Sequence, residues 1–172
     1  MRGNKARQVA LMGILTAVML VLGYVESLIP IGSAVPGIKL GLSNTVLVYG
    51  LYLFSPWTTF ALMLLKVVVS GLLFGGVNAM LYSAAGGILS MLGMIFLRKV
   101  PGVGIVGVSV VGAVLHNIGQ VLLAMWILQT DKLLYYMALL MLVAVVTGGL
   151  TGIAAERVAH IFGVKTKKEI KD

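Results

Sequence analysis

Six long apolar runs, separated by short polar or turn-forming stretches, make up almost the whole chain. The runs lie at roughly 9–29, 40–54, 58–74, 79–97, 103–128 and 133–157. A helix needs about 20 mostly apolar residues to cross a bilayer, and only the second run falls well short of that length. The pattern predicts an all-α integral membrane protein. Residues 1–172 are expected to form a single transmembrane domain, one bundle of six transmembrane helices.

Composition supports a membrane protein and excludes several other classes. Hydrophobic residues make up 60% of the chain and charged residues 10%, whereas soluble domains carry about 25% charged residues. The formal net charge is +8, but the basic residues lie at the ends of apolar runs rather than among stacking aromatics. That placement favours lipid headgroups of the bilayer as partners, and it argues against nucleic acid. There is no cysteine, so disulfide, thiol and thiolate chemistry is excluded.

The distribution of basic residues predicts the orientation of the bundle. With a cytoplasmic N-terminus, only Lys39 and Lys132 lie outside, and most other basic residues lie inside, as the positive-inside rule requires. The inside set is Arg2, Lys5, Arg7, Arg98, Lys99, Arg157, Lys165, Lys167, Lys168 and Lys171. We therefore predict a multi-pass protein of the cell membrane with both termini cytoplasmic. Residues 1–8 form its N-terminal segment and 164–172 its basic tail. The first apolar run has no convincing signal-peptide cleavage site, so it is expected to be a retained helix.

Lys66 stands in the middle of the third apolar run, "ALMLLKVVVSGLLFGG". A lysine at mid-membrane costs about 2.5–3.5 kcal/mol on insertion scales, so it normally faces a partner or a water-filled cavity. Two structural alternatives stay open, namely that the side chain snorkels to the surface or pairs with a carboxylate, for which Glu26 is the candidate. The sequence therefore marks Lys66 as a candidate ligand-binding residue.

Other polar residues gather in the predicted outer half of the bundle, where they define an outward-facing cup above an apolar floor. The candidate substrate-binding residues are Lys39, Asn44, Lys66, Asn78, Tyr82, His116, Asn117 and Gln120. Each has a plainer alternative: a helix cap for Asn44, an aromatic belt for Tyr82, and an interhelical hydrogen bond for His116. Lys39 and Lys66 make the cup positive with only Glu26 opposing them, which predicts a small anionic ligand. The aliphatic walls predict that the other end of this ligand is apolar.

Motifs of catalysis are missing from the sequence. It contains no phosphate-binding loop and no paired acidic motif that would hold magnesium against a diphosphate. His116 and His160 fall on different predicted helices, which argues against a metal site. We expect no catalytic residue, no metal and no cofactor, and therefore no enzyme activity from this chain by itself.

Small residues recur at helical spacing in the first run, at Ala6, Ala10, Gly13 and Ala17. Such stripes allow close approach of helix backbones within a membrane. This stripe begins before the membrane is entered, so a partner protein and internal packing are both open. A second stripe, Ser83, Gly86, Ser90 and Gly93, favours internal packing.

The run "IPIGSAVPGIKLGLSNTVLVYGLYLFSPWTTFALMLLKVVVSGLLFGG" resembles the S components of energy-coupling factor transporters. "PGIKLGLSN", "LLKVVVSGLL" and "LYSAAGGILSMLGM" are similar to the branch labelled both Gx transporter and heptaprenyl diphosphate synthase component I. The resemblance implies a six-helix subunit that captures a vitamin or a quinone or isoprenoid precursor outside the cell. It also implies a membrane coupling subunit and two cytoplasmic ATPase subunits as partners, docking on the stripe at Ala6, Ala10, Gly13 and Ala17.

Two other functions stay open. The chain would be a non-catalytic membrane accessory subunit of a prenyl diphosphate synthase if its tail "VKTKKEIKD" recruits a soluble enzyme. A self-sufficient ion-coupled transporter would need inverted repeats and an intramembrane carboxylate, and neither is found in the sequence.

Overall fold

The computed structural model describes residues 2–28 and 41–163. These residues are α-helical with short connections, and no β-strand occurs among them. The helices are α1 (Arg2–Leu28), α2 (Leu42–Leu53), α3 (Pro56–Ser70), α4 (Gly76–Leu97), α5 (Ile105–Leu128) and α6 (Leu134–Ile161), with a π-helical turn at Gly71–Gly75 between α3 and α4. The all-α prediction is confirmed for this part of the chain. Lys39 and the predicted tail at 164–172 lie outside the described residues.

The predicted count of six transmembrane helices is not confirmed. Helical structure runs without interruption from Pro56 to Leu97, so the described residues contain five separate helical stretches. A straight helix of these 42 residues would be about 63 Å long, twice the hydrocarbon thickness of a bilayer. The chain instead reverses at Gly76, which has a φ of 70°, and Met63 of α3 lies against Gly87 of α4. The stretch is therefore a helical hairpin with two legs.

Four of the helical stretches are long and apolar enough to cross a membrane, namely Ala6–Glu26, Pro56–Leu97, Ile105–Leu128 and Met137–Ile161. Their outward surfaces carry large apolar side chains such as Leu72, Phe96 and Leu142, each more than half exposed. Exposed apolar surface on this scale needs lipid or another protein to cover it. The protein is a membrane protein on these grounds, while its orientation and the identity of the membrane stay predictions.

Helices α4, α5 and α6 pack most extensively, because glycines let their backbones touch. A Cβ atom at Gly119 of α5 would lie 2.8 Å from the carbonyl oxygen of Ala85, and one at Gly148 of α6 would lie 2.9 Å from Cα of Val110. Gly86 faces the backbone of His116 in the same way, as the small-residue stripe of that helix predicts. These three helices form one closely packed wall.

Helix α1 packs on α2 and α3 through a different side from its small-residue stripe. Thr16 and Met19 are buried against the bundle. All four stripe residues, Ala6, Ala10, Gly13 and Ala17, are exposed. An added Cβ at Gly13 would meet nothing within 4 Å. The stripe is therefore not used for packing within the described residues.

Candidate functional site

A cavity of about 250 Å³ lies inside the bundle, between helices α1 to α6. It extends from Phe74 and Ala79, near the turn of the hairpin, to Met94 near the end of α4. Polar and charged side chains from all six helices line it. A mixed polar and apolar cavity between helices is a common form of small-molecule site.

The short helix α2 places its first turn in the middle of the bundle. Its 12 residues extend about 18 Å, against about 30 Å of hydrocarbon. Arg98, just past the end of α4, donates a hydrogen bond from its guanidinium to the carbonyl oxygen of Leu51 and lies 5.2 Å from the ring centroid of Tyr52. The C-terminus of α2 is thus level with the end of α4. The N-terminus of α2 therefore begins well inside the bundle, where Gly41 precedes it with a φ of 74°.

Lys66 reaches this N-terminus from the facing helix α3. Its Nζ donates a hydrogen bond of 2.9 Å to Oδ1 of Asn44, in the first turn of α2. Both residues line the cavity, so Lys66 does not snorkel to the surface. The structure shows Lys66 at the wall of a cavity, and its contact with a ligand or with the carboxylate of Glu26 stays a prediction.

Three predicted residues reach the opposite wall from one face of α5. His116, Asn117 and Gln120 all line the cavity, because positions three and four apart share a helical face. Asn117 also donates from Nδ2 to the carbonyl oxygen of Leu140, at 3.0 Å. This bond fixes the amide against α6, so Asn117 has a packing role in addition to its place at the wall.

Two further predicted residues, Asn78 and Tyr82, stand apart from this cavity. Asn78 is exposed, Tyr82 is half-buried, and neither is among the lining residues. Lys39 falls outside the described residues, so its predicted contact with ligand stays a prediction. The structure therefore brings together Asn44, Lys66, His116, Asn117 and Gln120.

The deep part of the cavity is more polar than the sequence predicts. Ser90, Ser109 and Thr151 line it and are buried, and the hydroxyl oxygens of Ser109 and Thr151 lie 3.1 Å apart. The expectation of an apolar floor is wrong for this reason. Hydroxyl residues among glycines read as packing positions in the sequence. Their recurrence at helical spacing, as at Ser83 and Ser90, is the sequence pattern that indicates a polar helix face.

Four methionines, Met19, Met63, Met91 and Met94, contribute to the apolar part of the lining. Each is at most 4% exposed. In the sequence they look like scattered gap fillers, and only the packing of separate helices gathers them. Because thioether side chains are flexible and polarizable, this wall can adjust to the apolar part of a ligand.

Glu26 lines the cavity as well, although the sequence predicts it only as a charge opposing Lys39 and Lys66 or as a partner for Lys66. It lies near the end of α1, and its Oε1 accepts a hydrogen bond from the backbone N–H of Gly41. Among the described residues, no group of three histidine, cysteine, aspartate or glutamate side chains is placed to hold a metal ion. The arrangement is suited to binding a small polar molecule by hydrogen bonds and charge.

Gln120 and Asn78 provide a direct test of this placement. Gln120→Ala is expected to weaken small-molecule binding by about threefold to tenfold, since it removes a neutral hydrogen-bonding group from the wall. Asn78→Ala is expected to leave binding unchanged because the amide lies outside the cavity. Isothermal titration of both purified variants, with the molecule extracted from the wild-type protein, measures the difference. A larger loss for Asn78→Ala than for Gln120→Ala would contradict the placement.

The fold and the cavity together define a class: an all-helical membrane protein with a polar cavity inside its bundle. A family model described as heptaprenyl diphosphate synthase component I matches residues 15–158. The chain belongs to this family. Comparisons with curated proteins and with solved structures gave no match.

Proposed function

We propose that this protein is the high-affinity substrate-binding subunit, or S component, of an ATP-driven energy-coupling factor importer. The observation that carries the proposal is the polar cavity inside an apolar bundle, with Lys66 at its wall. Intramembrane ionisable residues are costly and usually mark a substrate or ion pathway. A subunit that only anchors a soluble enzyme has no need of such a cavity.

The ligand in this proposal is a small molecule with an anionic group and an apolar part. Lys66 supplies a positive charge, and the N-terminus of α2 supplies the positive end of a helix dipole beside it. Half-helices that begin within a membrane receive anionic substrate groups in this way in transporters. The methionine wall receives the apolar part. A vitamin, or a quinone or isoprenoid precursor that carries a carboxylate or phosphate, has this chemistry.

The partners in this proposal are a membrane coupling subunit and two cytoplasmic ATPase subunits. The ATPase subunits hydrolyse ATP, and the present chain is not an enzyme by itself. Its open stripe at Ala6, Ala10, Gly13 and Ala17 is suited to the coupling subunit because small side chains permit close contact between helices. A helix face of small apolar side chains also permits the subunit to move against lipid during transport.

Purification in detergent, followed by extraction and mass spectrometry, tests ligand capture. We expect one small molecule in near-equal amount to the protein. Vesicles that contain the chain, the coupling subunit and both ATPases should take up that molecule only with ATP. An empty cavity in protein purified from rich medium, or uptake by the chain alone without ATP, would contradict the proposal.

The family description favours a second candidate function. In that case the chain is a non-catalytic membrane subunit of a prenyl diphosphate synthase and binds a soluble catalytic partner. Affinity purification from membranes distinguishes the two functions. Recovery of a soluble prenyl synthase, with no ATPase subunits, would favour this candidate.

A further inference from the structure

The cavity contains charges of both signs. Lys66 of α3 and Glu26 of α1 both line it, and they come from helices that pack against each other. Lys66 donates to Asn44, whereas Glu26 accepts from Gly41, and Gly41 and Asn44 belong to the same turn at the start of α2. An ammonium and a carboxylate therefore face one cavity beside one helix N-terminus.

We propose that Glu26 is a ligand-facing, specificity-determining residue and that the ligand is bipolar. It carries one anionic group, which pairs with Lys66, and one ammonium or other hydrogen-bond donor, which pairs with Glu26. The inference rests on the proposed function and narrows the substrate class of the same site.

Glu26 has acceptor capacity beyond its bond to the backbone. A carboxylate has two oxygens with about four acceptor positions, and the N–H of Gly41 occupies one of them. No other hydrogen bond to this carboxylate occurs within residues 2–28 and 41–163, and because the side chain lines the cavity, its remaining positions face a donor on a ligand. A charged acceptor in an apolar bundle gives a stronger hydrogen bond than a neutral one.

The same carboxylate disfavours ligands that are only anionic. Charge interactions strengthen inside a protein because the effective dielectric constant is far below that of water. A prenyl diphosphate carries several negative charges, and in the described cavity it would meet one lysine and an opposing glutamate. A molecule with one negative group and one donor satisfies both side chains. The site is therefore matched to a bipolar molecule and not to a diphosphate.

Glu26→Gln tests the carboxylate while preserving the fold, because the amide oxygen still accepts the hydrogen bond from Gly41. We expect the wild-type protein to release a molecule with one acidic group and one amine or hydroxyl, detected by mass spectrometry with amine and hydroxyl labelling. Glu26→Gln should retain about tenfold less of it, the loss typical of a hydrogen bond to a charged group. Tyr135→Phe, at a position 87% exposed, should retain the wild-type amount.

Farnesyl diphosphate serves as the opposing probe. It should not raise the unfolding temperature of the wild-type protein, and Glu26→Gln should respond to it more than the wild type does. Two results would overturn the bipolar ligand and leave the proposed function standing. The first is stabilisation of the wild type by farnesyl diphosphate. The second is a released molecule that has no hydrogen-bond donor and is retained equally by the wild type and by Glu26→Gln. A wild-type protein that releases no small molecule would overturn both.

Discussion

Lys66→Met is expected to lower the affinity for the molecule extracted from the wild-type protein by about 10-fold to 100-fold, because a hydrogen bond to a charged group contributes about 1.5–3 kcal/mol. The methionine side chain has a similar length and matches the apolar residues on the same wall, among them Met63. Removal of a half-buried charge within the bundle also removes its desolvation cost, so the unfolding temperature should fall little. Isothermal titration and thermal unfolding in the same detergent measure the two quantities.

Lys132→Met is the matched control, since it makes the same change at an exposed position in the connection between α5 and α6. Its affinity should equal that of the wild type, which separates a local contact at Lys66 from a general effect of lost positive charge. Equal affinity for both variants would remove Lys66 from the binding site. A misfolded Lys66→Met protein would instead show that its bond to Asn44 is mainly structural.

Gly148→Ala is expected to destabilise the bundle by about 1–3 kcal/mol, the usual cost of overpacking a core. A methyl group at this position would lie 2.9 Å from Cα of Val110 and 2.9 Å from Cβ of Ala113. Neither the backbone of α5 nor a Cβ atom can move aside as a flexible side chain can. Helices α5 and α6 must therefore separate, which lowers the unfolding temperature in a thermal scan.

Gly149→Ala, at the next residue, is the control for any general effect of replacing a glycine. An added Cβ at Gly149 would meet nothing within 4 Å, and alanine is favoured over glycine in a helix by about 1 kcal/mol. This variant should be as stable as the wild type or more so. A drop in stability of equal size for both variants would show that the close approach of α5 and α6 does not limit stability.

Hydropathy predicted the helices well wherever an apolar run was long and clearly bounded. The apolar runs predicted at 79–97 and 103–128 correspond to the helices Gly76–Leu97 and Ile105–Leu128. The main error was at α1, which begins at Arg2, before the apolar run predicted from 9. Polar residues can continue a helix once it has started, so the apolar boundary marks the membrane and not the helix end.

The cavity-facing side of α4 explains why Asn78 and Tyr82 do not line the cavity with the other predicted residues. Positions 79, 83, 87, 90 and 94 line the cavity and follow helical spacing. Asn78 and Tyr82 each lie one residue before a lining position, which rotates them about 100° around the helix axis. Distance along the chain predicts the depth of a residue in the membrane, whereas the rotation of its helix depends on contacts with neighbouring helices.

The sequence by itself determined that this protein is helical and enters a membrane, because transfer of side chains from water to lipid depends on their identity and order along the chain. Only the tertiary structure decided that α2 begins inside the bundle, that Lys66 meets Asn44, and that Glu26 faces the same cavity. The bond of Glu26 to Gly41 joins residues 15 positions apart, and the bond of Lys66 to Asn44 joins residues 22 positions apart. They depend on the packing of whole helices, which no local pattern of residues specifies.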